Sequence, residues 1–139
     1  SLEVQLPFLQ MALEDFTLVP LAVGDASASE VAQVLDCVWG GPETLIVISS
    51  DLSHYQPYAQ ARSTDHQTLR AILNLKPDLT PRQACGATPI NGLLQVAQAR
   101  DLHPEVLGMC NSGDSASYDR SRVVGYAAVV FAPANHVLH

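Results

Sequence analysis

The sequence has few cationic residues and no long apolar run. Seven lysines and arginines are scattered singly along 139 residues, against 14 acidic residues, so the formal net charge is −7. This balance excludes the basic footprint of a nucleic-acid-binding protein and a polybasic membrane patch. No apolar stretch approaches the roughly 20 residues that cross a bilayer, and the start lacks the order of a signal peptide. We therefore expect a soluble, cytoplasmic protein without nucleic-acid or membrane partners.

Cysteine is scarce and unpatterned. The three cysteines, Cys37, Cys85 and Cys110, form no Cys-x-x-Cys pair. An odd count without that spacing excludes a disulfide framework and a structural zinc site. Because Cys37 falls in a predicted helix and Cys110 in a predicted strand, we expect both thiols in the core.

The chain does contain enough apolar material for one core. Its 139 residues are 47% hydrophobic, which predicts a single domain over residues 1–139. The sequence begins with Ser1 rather than Met, inside a stretch patterned like a structural element, so we expect it to be part of a longer protein.

The spacing of apolar residues predicts alternating helices and strands. Helices are expected at about 7–13, 28–39, 57–75 and 88–100, and strands at 16–24, 44–49, 105–111 and 123–132. Ser27 and Glu30 form a capping-box pattern at the start of one helix, and Thr88-Pro89 has the pattern of an N-cap followed by a first-turn proline. This order favours an α/β fold with α/β/α layers, a mostly parallel sheet and one antiparallel C-terminal strand pair.

The stretch LIVISSDLSHY is the first candidate for chemistry, since ligands bind beyond the carboxyl ends of strands in parallel sheets. Asp51 and His54, three residues apart, suit two metal ligands or a base with its orienting partner. In the alternative, structural interpretation, Asp51 caps the following turn and His54 packs against a neighbouring tyrosine.

Cys85 is the second candidate, because it stands with Gly86 just before a predicted helix. A helix N-terminus favours a thiolate, and a glycine allows the backbone to approach a ligand closely. A buried, inert cysteine remains the alternative. The polar loop at 111–121, with Gly113, Asp114 and Tyr118, is a third candidate for the same rim, or it is only a turn.

Five segments in order, SLEVQLPFL, VISSDLSHY, CGATPINGLL, NSGD and VVGYAAVVF, resemble the MEMO family, which includes the Memo-like component of the bacterial AmmeMemoRadiSam system. The resemblance covers nearly the whole chain. It implies a fold similar to class III extradiol ring-cleavage dioxygenases, which open catechol-type rings with non-haem iron. By motif position it implies His54, Asp51 and Cys85 as metal-site and catalytic residues, with iron or copper as the metal.

The family's upstream histidine stretches, such as Ala-Pro-His-Ala-Gly and Ser-His-His, are not in this sequence. The resemblance therefore implies the C-terminal half of a longer Memo-like domain, with metal binding that is weak or absent in this chain alone. It also implies an exposed sheet edge, through which copies of the chain would form a homo-oligomer.

Three functions stay open, and the sequence does not decide whether the protein is an enzyme. The first is a metal-dependent oxidoreductase of the dioxygenase type. The second is a non-catalytic module that binds a small molecule, a protein partner or a peptide. The third is a thiol enzyme with Cys85 as nucleophile, His54 as base and Asp51 as the orienting group.

Overall fold

The computed structural model describes residues 2–115 and 119–135 and mixes helices with strands. Its helices are α1 (Leu6–Ala12), α2 (Ala28–Val38), α3 (Tyr58–Leu73) and α4 (Ala87–Ala99), with 3-10 turns at Glu3–Gln5 and Ser112–Asp114. Its strands are β1 (His54–Gln56), β2 (Leu102–Asn111) and β3 (Val123–Pro133). The α/β class is confirmed, whereas the α/β/α layering stays a prediction.

The sheet is small and antiparallel throughout. Its strand order is β1-β3-β2, and β3 pairs antiparallel with both neighbours over the described residues. The predicted antiparallel C-terminal pair is confirmed, because β2 and β3 run side by side from Leu102 opposite Pro133 to Asn111 opposite Gly125. The predicted mostly parallel sheet is wrong, since no parallel pair occurs among the described strands.

The two predicted parallel strands, at 16–24 and 44–49, are not strands in the structure. Every residue from 16 to 24 is exposed, and Val19 has 73% of its surface open to solvent. In the second segment, Ile46 and Ile48 are half-buried while Leu45 and Val47 are exposed. Apolar pattern alone does not make a strand, because a strand also needs a hydrogen-bonded neighbour.

The helix starts follow the sequence in one case and depart from it in another. The capping box of α2 is confirmed: Ser27 Oγ accepts from the Glu30 amide at 3.2 Å, and the Glu30 carboxylate accepts from the Ser27 amide at 2.8 Å. Helix α4, however, begins at Ala87 with Gly86 at the N-cap position, so Thr88 is already helical. The predicted cap at Thr88 is therefore wrong by two residues.

Helix α4 joins two buried clusters. One cluster brings together the 51–54 region, α3 and the start of α4, and consists of Leu52, Leu69, Ile72, Leu79, Ala84, Ala87, Ile90 and Leu94. The second lies between α2 and α4 and consists of Val31, Leu35, Leu93 and Val96. Because α4 contributes to both clusters, its position sets where the turn at Cys85 lies.

Exposed apolar side chains are concentrated in the first third of the chain. Of α1, Phe8 is 73% exposed and Met11 is 90% exposed, and no residue of this helix is buried. Large exposed apolar residues are fewer in the part of the described chain that follows Val47. Among the described residues, no helix has both the length and the apolarity needed to cross a membrane.

We predict that Gly92→Ala destabilises the protein, although alanine favours helices over glycine by about 1 kcal/mol. Gly92 lies in α4 against α2, and a methyl group there would be 2.5 Å from Val31 Cγ1 and 3.0 Å from the Ala28 carbonyl oxygen. Forcing these helices apart is expected to cost about 1–3 kcal/mol of unfolding free energy, measured by urea denaturation.

Gly24→Ala is the matched control, since nothing lies within 4 Å of the added methyl group. Its unfolding free energy should stay within about 0.5 kcal/mol of the unsubstituted protein. A Gly92→Ala protein as stable as the control would contradict the close packing of α2 on α4.

Candidate metal centre

Asp51, His54 and Cys85 come together in the structure. One carboxylate oxygen, one imidazole nitrogen and the thiol sulfur all lie within 4.8 Å of one another. The residues come from two separate places: Asp51 and His54 from the segment that leads into β1, and Cys85 from the turn before α4. The sequence therefore identified three residues that share one site, and their catalytic and metal-binding roles remain predictions.

The aspartate and the histidine contact each other directly. His54 Nε2 lies 3.4 Å from Asp51 Oδ2, and the two side chains are 31% and 48% exposed, respectively. The His54 ring also lies beside the Tyr55 ring, with centroids 5.8 Å apart and planes tilted by 60°. The packing of His54 against a tyrosine, one part of the structural alternative, is thus present, but it does not account for the approach of Cys85.

The backbone just after His54 is strained. Tyr55 has φ of +57°, in the left-handed region that large side chains rarely adopt, and Arg122 stacks over its ring at 5.1 Å. The residue lies at the point where the pairing of β1 with β3 is irregular, between His54 and Gln56. Strain of this kind is common at functional sites, where surrounding contacts impose it.

The sulfur of Cys85 is held against the backbone of the aspartate. The Asp51 amide donates to Cys85 Sγ at 3.2 Å, and the Cys85 amide donates back to the Asp51 carbonyl oxygen at 3.3 Å. Ser50 Oγ lies 3.6 Å from the sulfur and accepts from the Gly86 amide at 2.9 Å. Cys85 is exposed, so the alternative that placed it buried in the core is wrong.

Gly86 permits the close backbone approach predicted for a glycine at this position. The neighbour, however, is another segment of this chain rather than a ligand. A methyl group at Gly86 would lie 2.8 Å from Ser50 Cβ and 3.2 Å from the Ser49 carbonyl oxygen. Only a residue without a side chain allows the turn before α4 to lie this close to the segment before Asp51. That proximity is what brings the sulfur to the carboxylate and the imidazole.

The other two cysteines are exposed, so their predicted core positions are wrong. Cys37 lies two residues after buried Leu35 on α2, which turns it away from α4. Cys110 lies on β2, an outer strand of the described sheet. Burial was inferred from element type alone, and neither the helix face nor the strand's place in the sheet was visible in the sequence.

The third candidate, the polar loop, contributes none of its described residues to this cluster. Asp114 instead accepts a hydrogen bond from the Tyr58 hydroxyl at 2.5 Å and another from the Asn111 amide at 2.8 Å. These residues line a separate cavity of about 110 Å³, together with Arg62, Asp65, Met109 and Cys110. Tyr118 lies outside the described residues.

The Tyr58 hydroxyl holds the pKa of Asp114 below its ordinary value, with further contributions from the Asn111 amide and the charges of Arg62 and Arg120. We predict that Tyr58→Phe raises this pKa toward the ordinary value. A depressed pKa stabilises the fold above the ordinary carboxylate range, and that stability is lost as the pH falls through the folded-state pKa. The substitution should therefore reduce stability near neutral pH more than in acid.

A carboxyl-carbon NMR titration of Asp114 measures the first effect, and urea unfolding at pH 6 and pH 3 measures the second. Tyr55→Phe is the control, because the Tyr55 ring contacts Arg122 and His54. An unchanged Asp114 titration in Tyr58→Phe would show that another group sets its pKa.

The donor set could hold one transition-metal ion. Two ligands bound about 2.1 Å from one ion at a tetrahedral angle are about 3.4 Å apart, which equals the Asp51–His54 separation. Imidazole, carboxylate and thiolate are all metal ligands, and the thiolate favours copper, zinc or iron over magnesium or calcium. Three protein ligands also leave coordination positions open for a further ligand.

Comparison with known proteins matches this chain to a protein family. Residues 1–130 match the family model described as "Memo-like protein". A MEMO1 family protein of Methanosarcina barkeri is 36% identical over 94% of this chain and 54% of its own length. MEMO1 family proteins of Archaeoglobus fulgidus and Methanosarcina acetivorans are 36% and 38% identical, with the same coverage. The chain thus spans about half the length of the curated relatives it matches.

Proposed function

The chain belongs to the family of Memo-like proteins, and on that premise we propose that it holds one redox-active transition-metal ion, iron or copper, between Asp51, His54 and Cys85. The observation that carries the proposal is the mutual approach of three different ligand atoms to within 4.8 Å. When bound, such an ion supplies Lewis-acid and one-electron chemistry.

Each residue has a distinct task in this proposal. The Cys85 thiolate supplies a soft ligand, and the Asp51 amide that donates to its sulfur stabilises negative charge there. His54 supplies an imidazole whose ring is held beside Tyr55. Asp51 supplies a carboxylate, while its amide and carbonyl groups tie the aspartate to Cys85.

The His54–Asp51 pair supports a relationship to extradiol dioxygenases. Non-haem iron oxygenases use imidazole and carboxylate ligands and leave positions open for substrate and oxygen. Cys85 is not part of that ligand set, and a thiolate at an oxygen-activating site is itself open to oxidation. We therefore place metal binding ahead of ring cleavage as the proposed function. A substrate for ring cleavage is likewise only proposed.

A thiol enzyme is less well supported by the same distances. In a Cys-His-Asp relay the imidazole stands between thiol and carboxylate, with a hydrogen bond of about 3 Å on either side. In such a relay, the distance from the sulfur to the carboxylate exceeds the width of the imidazole ring plus the length of one hydrogen bond. Here the carboxylate oxygen and the sulfur lie within 4.8 Å of each other, which suits a shared ion better than a relay.

We predict that the purified chain takes up one Cu(I) or one Fe(II) per molecule under anaerobic conditions, with the weak affinity expected of a chain that does not contain the family's upstream histidine stretches. Removing a ligand, in His54→Ala or Cys85→Ala, should weaken binding at least about tenfold, because even outer partners of metal ligands contribute that much. Elemental analysis gives the stoichiometry, and titration against a competing chelator gives the dissociation constant.

Cys110→Ala is the matched control, since it removes an exposed thiol outside the cluster. Its metal affinity should equal that of the unsubstituted chain. The proposal would be overturned if the metal content were no greater than that of a protein-free blank. Equal losses of metal affinity in Cys85→Ala and Cys110→Ala would also overturn it.

A further inference from the structure

Asp65 is a buried carboxylate that takes no part in the cluster itself. It lies in the middle of α3, with only 1% of its surface exposed, on the same inward stripe as Ala61, Leu69 and Ile72. Among the described residues, no lysine or arginine forms an ion pair with it. Burying a carboxylate is unfavourable unless hydrogen bonds compensate for its lost hydration, so its contacts are informative.

The hydrogen bond made by Asp65 leads directly to the candidate ligands. Asp65 Oδ1 accepts from the Ser53 amide at 2.9 Å. Ser53 is fully buried and stands immediately before His54 and two residues after Asp51. The bond therefore fixes the one backbone stretch that connects the two ligands.

Strand β3 is also hydrogen-bonded to this stretch of backbone. The Gly125 amide donates to the Ser53 carbonyl oxygen, and the Leu52 amide donates to the Gly125 carbonyl oxygen, each at 2.9 Å. Gly125 also makes room for the carboxylate, because a methyl group there would overlap Asp65 Oδ2. A helix, a loop and a strand thus meet at Asp65, Ser53 and Gly125.

We propose that Asp65 is a positioning residue, whose carboxylate holds the backbone between Asp51 and His54 so that both side chains point at one place. The role of Asp65 in metal binding rests on the proposed function, whereas its effect on the backbone of the loop does not. Asp65 does not touch the ligand atoms, so it acts through the Ser53 amide.

The loop is tested first without any metal. In Asp65→Ala, hydrogen exchange of the Ser53 amide should accelerate at least about tenfold relative to amides in the middle of α4, because its acceptor is gone. Asp65→Asn keeps a carbonyl oxygen at the same place and should restore most of the protection. Ser53 protection that is unchanged in Asp65→Ala, or not restored in Asp65→Asn, would overturn the inference.

The ligands are tested with Co(II), whose thiolate charge-transfer band reports on Cys85. Asp65→Ala should bind Co(II) about 10–100-fold more weakly, the usual effect of removing an outer partner, with Asp65→Asn between it and the unsubstituted chain. A purely structural role would lower the unfolding free energy and leave the dissociation constant of the folded protein unchanged.

Two further substitutions separate positioning from general stability. Leu35→Ala weakens the core between α2 and α4, away from the loop, and should leave Co(II) affinity unchanged. Gly125→Ala displaces the Asp65 carboxylate and should weaken Co(II) binding, whereas Gly108→Ala adds a methyl group in open space and should not. These glycine variants also carry the test if Asp65→Ala does not fold.

The two proposals fail in different ways. If the unsubstituted chain takes up no Co(II), the metal-binding function fails, and the amide exchange of Ser53 still decides whether Asp65 positions the loop. If Co(II) binds equally to the unsubstituted chain and to Asp65→Ala, the positioning role fails while the metal site stands.

Discussion

The structure of the site depends on how the short segment from Ser50 to His54 is held by backbone hydrogen bonds. On one side the Cys85 amide reaches the Asp51 carbonyl oxygen, and on the other Gly125 bonds to Leu52 and Ser53. Buried backbone groups must find partners, so a segment bonded on both sides has little freedom to move. The positions of the candidate ligands follow from these bonds, since all three side chains project from the bonded residues or their immediate neighbours.

The same contacts explain why small residues surround the site. Gly86 lets the turn before α4 lie against Ser50, and Gly125 lets β3 lie against Asp65. A side chain at position 86 would push Cys85 away from the segment that carries Asp51, and one at position 125 would displace the Asp65 carboxylate from β3. The grouping of the three candidate ligands therefore depends on the small size of Gly86 and Gly125 as well as on the ligand residues themselves.

Sequence reasoning found what depends on local pattern and missed what depends on distant neighbours. The capping box at Ser27 and the antiparallel pair of β2 and β3 were predicted, and Asp51, His54 and Cys85 do lie together, while their roles stay predictions. The predicted mostly parallel sheet is wrong, because apolar residues at 16–24 and 44–49 reveal nothing about which strand would pair with them. Asp65 was not predicted, although a lone carboxylate on the apolar stripe of α3 was a signal that could have identified it.

The location of the site relative to the packed core bears on what this chain can do. The three candidate ligands and the groups that hold them lie between Ser50 and Gly125, against the cluster that contains Leu52, whereas most exposed apolar residues precede Ile48. A side-chain hydrogen bond from Gln5 to Ser49 joins the neighbourhood of α1 to the residue just before this segment. The approach of the three ligand atoms is therefore built mainly by the well-packed part of the chain. Three protein ligands would leave coordination positions open, so what enters those positions would decide between an ion that is only held and one that reacts.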